Sequence, residues 1–283
     1  MAQGKNRKDK SFEKRLRHEM SLRQVNKAIL ISLKNRFVYL RIPKVANSSI
    51  KHLIYRMESM AGDATLRDDM IHDIHYGPVV RPHMLGFNSA LLQQALCSDD
   101  FFRFTIVRNP YAKALSNYLD RYMATHGTVR RQINRMAFDK GWISDRGTTA
   151  DFSTYLQSAT CMPLKQMDIH ISPQYVQALV NIVEFDYVGS FETLSEDLSA
   201  IAGRIWGRTD IDLGFHSPAK TDAAAKLREA YSEATIAMVN EVYAKDFEVF
   251  GYPRVDKPEE LSDPDALLRD TSVTPAPSAQ PAG

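Results

Sequence analysis

Two cysteines, Cys97 and Cys161, among 283 residues are too few for a disulfide framework or a four-thiolate metal site, and they point to a reducing compartment. Long apolar runs are missing too. No stretch reaches the ~18 residues of a membrane-spanning helix. The charged residues 1–10 are not followed by the apolar core of a secretory leader. The chain is therefore read as soluble and cytoplasmic. Excess charge of one sign is also lacking: 36 Lys and Arg against 34 Asp and Glu give +2, which argues against wholesale nucleic-acid binding and against an acidic disordered chain. No internal repeat is found.

What is present suits a globular protein of one large domain with small appendages. Up to Arg41, twelve Lys and Arg face three acids, Asp9, Glu13 and Glu19. Residues 1–36 are read as a basic helical arm, either solvated or in weak contact with a membrane surface or an anionic polymer. Residues 37–253 form the main domain. Residues 254–283, with Pro258, Pro264, Pro275, Pro277 and Pro281 among small and acidic residues, read as a disordered tail.

Within the domain, Phe37-Val-Tyr-Leu-Arg-Ile42 is a buried strand stopped by Pro43. A polar loop comes next. Ile50, Leu53, Ile54 and Met57 then recur at helical spacing behind a Ser48 or Ser49 cap. A second unit runs from the strand Phe101-Phe-Arg-Phe-Thr-Ile-Val107 through Arg108 and Asn109 into a helix with Pro110 in its first turn. Tyr111, Leu115, Tyr118, Leu119 and Tyr122 mark its apolar face. Residues 127–147 are basic and punctuated by glycine, and read as a loop-rich excursion with a short helix as an alternative. Asp151 caps a short helix to Leu156; a strand at residues 185–189 leads into a helix over 192–206. Thr221 or Asp222 caps a long final helix bearing Leu227, Tyr231, Ala234, Met238 and Val242 on one face. Strands alternating with helices predict an α/β fold with a central, mainly parallel sheet flanked by helices.

The loop Pro43-Lys-Val-Ala-Asn-Ser-Ser49 comes after a strand and opens a helix, where free backbone N–H groups and the helix dipole favour an anion. Lys44 adds a full charge, and Ser48 and Ser49 add hydroxyl donors. The loop has no glycine and its lysine precedes the hydroxyls by four or five positions, so a Walker A loop is disfavoured. Asn47-Ser48-Ser49 matches a glycosylation sequon, read as accidental. His72 and His75 lack a third ligand at convincing spacing, so no metal site is assigned.

The run Arg41-Ile-Pro-Lys-Val-Ala-Asn-Ser-Ser-Ile-Lys51 resembles the 5′-phosphosulfate loop of the Golgi-type carbohydrate sulfotransferases, which typically reads Pro-Lys-Val-Ala-Cys-Thr-Asn-Trp. Lys44, Val45 and Ala46 match, Ser48 replaces Thr, and Asn47, Ser49 and Ile50 depart. Phe104-Thr-Ile-Val-Arg-Asn-Pro-Tyr-Ala-Lys-Ala-Leu-Ser-Asn-Tyr118 is similar to the family's 3′-phosphate motif, which assigns Arg108 and Ser116 to that phosphate; a guanidinium fork with a hydroxyl donor suits a dianion. Phe185-Asp-Tyr-Val-Gly-Ser-Phe-Glu-Thr-Leu-Ser-Glu-Asp197 resembles a third, architectural segment.

The resemblance implies a P-loop-like three-layer domain and transfer of a sulfuryl group from 3′-phosphoadenosine 5′-phosphosulfate (PAPS) to a carbohydrate hydroxyl, releasing adenosine 3′,5′-bisphosphate without a metal. Lys44 to Ser49 (Lys44, Val45, Ala46, Asn47, Ser48, Ser49), Arg108 and Ser116 are the expected donor-binding residues, and Lys44 also stabilises the leaving oxygen. His83 is the expected general base, by its place between the two donor motifs as in the related heparan-type 2-O-sulfotransferases. Asp168 and His170 offer a competing acid-base pair. The rival readings are a nucleotide-dependent kinase and a non-catalytic anion-binding module. The missing Walker glycines count against the first and the paired phosphate motifs against the second.

Overall fold

The computed structural model describes residues 10–58, 79–209, 226–263 and 265–275. Five strands, β1 (Ile29–Ser32), β2 (Phe37–Leu40), β3 (Val79–Val80), β4 (Phe102–Val107) and β5 (Tyr187–Ser190), form one sheet in the order β3-β1-β2-β4-β5. β2, β4 and β5 are parallel neighbours. β1 runs against β2, and β3 against β1, so four of these five strands point the same way. All four residues of β2 are fully covered, as its continuous apolar run requires of a strand packed on both faces. Tyr39 and Phe104, directly opposite in register, stack at 5.1 Å between ring centroids. Arg103, the one charge within β4, is held by Asp186, which accepts from its Nε at 2.9 Å and its backbone N at 2.8 Å.

Helices α1 (Lys10–Glu19) and α2 (Leu22–Ala28) precede the sheet. The crossover from β2 to β4 carries α3 (Asn47–Glu58), α4 (Pro82–Leu85) and α5 (Ala90–Cys97). That from β4 to β5 carries α6 (Pro110–Asn117), a π-helical turn (Tyr118–Met123), α7 (Thr128–Asp139), α8 (Phe152–Thr160) and α9 (Gln174–Gln177). After β5 comes α10 (Leu194–Trp206), whose Trp206 meets Phe37 edge-on at 5.5 Å. The α/β architecture with flanking helices is as the sequence implies. Among the described residues no helix is long and apolar enough to cross a membrane.

Four expectations change. The basic arm is part of the domain: Phe12, Leu16 and Met20, spaced by four, bury one face of α1 and its extension. α2, closed by a capping box of Ser21 and Gln24, runs directly into β1. Residues 127–147 are not mainly loop. Val129, Ile133 and Ala137 give α7 a buried face at i, i+4, i+8, a pattern masked by the arginines between them. The final helix is not continuous either. Residues 226–230 are helical, and a new helix, Glu233–Val242, starts behind a capping box of Ser232 and Thr235, because a serine hydroxyl at that point competes for the backbone N–H groups. Its proposed start at Thr221 or Asp222 lies outside the described residues.

The fourth change concerns the tail. Residues 254–263 and 265–275 pack on the domain: Val255 and Leu261 are buried, Val255 N donates to Tyr111 Oη at 3.0 Å, and Arg269 donates to the carbonyls of Phe250 and Val188 at 2.9 and 2.6 Å. A few apolar anchors and one arginine outweigh the proline-rich, acidic composition that suggests disorder.

This packing gives Gly251 a special burden. Both Gly207 and Gly251 end helices in left-handed conformation, at φ +68° and +71°. A Cβ on Gly251 would lie 2.7 Å from the carbonyl of Asp270, whereas one on Gly207 meets nothing within 4 Å among the described residues. Gly207→Ala is expected to cost about 1 kcal/mol, the conformational penalty alone, and Gly251→Ala about 2–4 kcal/mol, because backbone must also move. Urea unfolding midpoints at constant slope measure the difference; equal losses would refute the docked tail.

Candidate active site

Because β2, β4 and β5 are parallel, the segments that leave them emerge at one end of the sheet, where α/β proteins bind ligands. The first is the loop from Arg41 to Ala46. It turns through left-handed backbone at Lys44 (φ +69°) and Ala46 (φ +60°), positions where a phosphate loop usually has glycine. Each costs about 1–2 kcal/mol for a side-chain-bearing residue, so the conformation must be held from outside. Val45 between them is wholly buried and plugs the loop into the core. Asn47 braces it: the side chain accepts from Tyr39 Oη at 2.7 Å and donates through Nδ2 to the carbonyl of Ile42. The first helical bond of α3 runs from Ile50 N to the Ala46 carbonyl at 3.1 Å, which leaves the N–H groups of Asn47, Ser48 and Ser49 without an i−4 acceptor inside the helix.

The second segment leaves β4 at Arg108. Asn109 caps α6 by accepting from Tyr111 N and Ala112 N, and Pro110 takes the first helical position, where no N–H is needed. Gln174 of α9 clamps the Arg108 backbone from both sides, accepting from its N at 2.9 Å and donating to its O at 2.7 Å. The guanidinium lies 4.2 Å from the ring centroid of Phe191, the residue after β5. Its Nη1 donates to the Lys44 carbonyl at 3.2 Å, and its buried Nε has no partner among the described residues. Burial lowers the Arg108 pKa, with the charge of Glu192 opposing, and a guanidinium stays charged through such a shift. Glu192, raised by burial, is held through bonds from Asn109 N and Tyr252 Oη.

These segments enclose a cavity of about 370 Å³. Of the expected donor residues, Lys44, Ala46, Asn47, Ser48, Arg108 and Ser116 line it together; Val45 and Ser49 do not. Among the described residues four cations, Arg41, Lys44, Arg108 and Arg121, face this space and no carboxylate does, which makes it a cage for a multiply charged anion. Sequence reasoning missed Arg41 and Arg121. Arg41 is the first residue of the loop after β2, and Arg121 lies on the π-helical turn that continues α6 beyond Ser116, a displacement that simple helical spacing does not reveal. The Lys44 ammonium is 2.7 Å from Asp120 Oδ2. Arg121 Nε is 3.2 Å from the same oxygen but not in hydrogen-bonding geometry, so this buried Nε is unpaired among the described residues.

The two candidate bases separate. His170 lines the cavity, with Nδ1 2.6 Å from Asp168 Oδ1 and its backbone N donating to the same oxygen at 3.0 Å. Burial pushes the Asp168 carboxyl up, but the bonds from His170 and the charges of His170 and Arg121 outweigh it, and the net shift is downward. His83 is on α4, away from the cavity lining, with its ring Nδ1 2.6 Å from Asn26 Oδ1 of α2. His72 and His75 lie outside the described residues. Among the described residues no cluster of three or more His, Cys, Asp or Glu is placed to hold a metal.

Comparison with known proteins identifies the family. Carbohydrate sulfotransferase 14 of Homo sapiens is 27% identical over 242 residues, and the proteins of the same name from Mus musculus and Danio rerio are 25% and 24% identical over 236 and 239 residues. Each alignment covers 80% of this chain but only 60–62% of the relative, so the chain spans about three fifths of the length of these relatives. No solved structure matches significantly. Residues 27–253 match the sulfotransferase family, a span that takes in all five strands and every residue lining the cavity, and the chain belongs to that family.

Proposed function

We propose that this chain transfers a sulfuryl group from PAPS to a hydroxyl of a carbohydrate, releasing adenosine 3′,5′-bisphosphate. One observation carries the reading: two phosphate-type motifs from separate strand ends, represented by Lys44, Ala46, Asn47 and Ser48 and by Arg108 with Ser116, line a single cavity that has four cations and no acid among the described residues. Family membership implies PAPS as donor, and the named activity of the relatives favours a glycan acceptor.

In this reading the α3 N-terminus and Lys44 take the 5′-phosphosulfate, and Arg108 and Ser116 take the 3′-phosphate, with Phe191 stacked behind the guanidinium. The acceptor hydroxyl attacks sulfur in line, a new S–O bond forms, and the bond from sulfur to the bridging oxygen breaks with its electron pair leaving on the bisphosphate. Lys44 neutralises the charge developing on that oxygen. The hydroxyl proton goes to His170, whose orientation Asp168 fixes through Nδ1. This gives the base role to His170 in place of His83, because only His170 lines the cavity.

Three outcomes test the assignment. Lys44→Ala is expected to slow single-turnover transfer by roughly two to three orders of magnitude, the scale for losing one electrostatic stabiliser of a transition state, with a milder loss of donor binding. Near-normal turnover would remove Lys44 from the chemistry. Arg108→Ala should weaken bisphosphate binding by about 2–4 kcal/mol in calorimetry. Adenosine 5′-phosphosulfate, which lacks the 3′-phosphate, should lose less, only what loosening of the Lys44 loop costs; equal losses would contradict the 3′-phosphate assignment. His170→Ala should bind PAPS normally, lose about a hundredfold or more in turnover, and lose the fall in rate at acid pH where an imidazole is protonated. His83→Ala should turn over normally, and the reverse pattern would return the base role to His83.

A further inference from the structure

The ammonium that lines the cavity is engaged on its far side. Asp120 is half exposed while Lys44 is four-fifths covered, and the carboxylate oxygen 2.7 Å from the ammonium is the one 3.2 Å from Arg121 Nε. A single acid therefore touches two of the four cations that line the site, without lining it itself. The hydrogen bond from Lys44 holds the Asp120 carboxyl below the usual carboxylate range, with burial opposing.

The backbone beneath Asp120 is unusual. At Tyr118–Met123 the helix widens to a π-turn, closed by Ala124 N donating to the Leu119 carbonyl at 3.2 Å. A π-turn inserts an extra residue per turn and rotates the residues beyond it, and such insertions recur at functional sites. Here it carries Asp120 and Arg121 on the same element that presents Ser116, so the expected 3′-phosphate ligand and the counter-ion of the expected 5′-phosphosulfate ligand move as one body. Lys44 is thereby tied at both ends, its carbonyl to Arg108 and its ammonium to Asp120.

We propose that Asp120 is a positioning residue of the transfer reaction, an internal anion that competes with the nucleotide's phosphate groups for the Lys44 ammonium. The proposal rests on the donor-site reading of the cavity. A cage of four cations binds the bisphosphate product as readily as the donor, since both carry the same phosphates. An acid within reach of Lys44 lowers that affinity, because binding must break or share the ion pair, and it recaptures the ammonium as product leaves.

The test is calorimetric binding of adenosine 3′,5′-bisphosphate to the full chain, to Asp120→Asn, Asp120→Glu and Lys44→Ala, and to the double variant Lys44→Ala/Asp120→Asn. Asp120→Asn is expected to tighten binding about twofold to fivefold, in line with a partly exposed ion pair, and Asp120→Glu to keep the original affinity. The gain should vanish in the Lys44→Ala background, since a double-mutant cycle isolates the coupling of the two residues. Unchanged or weaker binding in Asp120→Asn overturns the proposal, as does equal tightening by Asp120→Glu. The same gain without Lys44 overturns it too, by assigning the effect to the general field of the cavity. Each of these leaves the donor reading standing. Failure of the original chain to bind the bisphosphate overturns both.

Discussion

Arg108 is the residue on which the site depends. A parallel sheet brings its strand ends to one place but does not connect them, and this arginine does: its side chain bonds the loop after β2 and stacks on Phe191 after β5, while Gln174 fixes its own backbone. The hold extends further back. Gln174 N and Tyr175 N both donate to Asp246, at 2.7 and 2.8 Å, and the buried Lys113 donates to the Ser172 carbonyl at 3.0 Å. Burial pushes Asp246 up to about 6 and Lys113 down to about 8, each opposed by the other's charge. Charges buried at such cost are poor stabilisers. Here they fix α9, and with it the arginine.

The loop beside Arg108 shows how strain is carried without glycine. Two left-handed residues cost on the order of 2–4 kcal/mol together. Against this stand the bonds of Asn47 to Tyr39 and Ile42 and of Arg108 to Lys44, each worth about 1 kcal/mol net, and the burial of Val45, worth roughly 1.5–3 kcal/mol. Together the clamps outweigh the strain by a modest margin, so the loop keeps its shape through their sum. Asn47, matched in the sequence to a nucleotide-binding position, serves that shape through its side chain.

The parts of this protein legible in its sequence are those governed by short-range rules. The apolar runs at residues 37–40 and 102–107 had to be buried strands, Asp151 had to cap, and the loop at Lys44 had to begin a helix. The parts that escaped depend on longer-range or masked effects. The buried face of α7 hides among arginines, and the inward face of α1 among lysines and arginines. Arg121 reaches the cavity from a π-turn, which a regular helical count does not anticipate. The choice between His83 and His170 was beyond sequence spacing altogether, since it turns on which of two distant segments the fold carries to the end of the sheet.

β5 is the outermost described strand on its side, and a last strand leaves backbone groups with no neighbour to pair with, a template on which a second chain can add. Arg269 covers part of that liability by donating to the Val188 carbonyl. The family match ends at Pro253. A chain trimmed to that limit would keep every residue lining the cavity but lose Arg269 from the sheet edge, and self-association through that edge is the consequence.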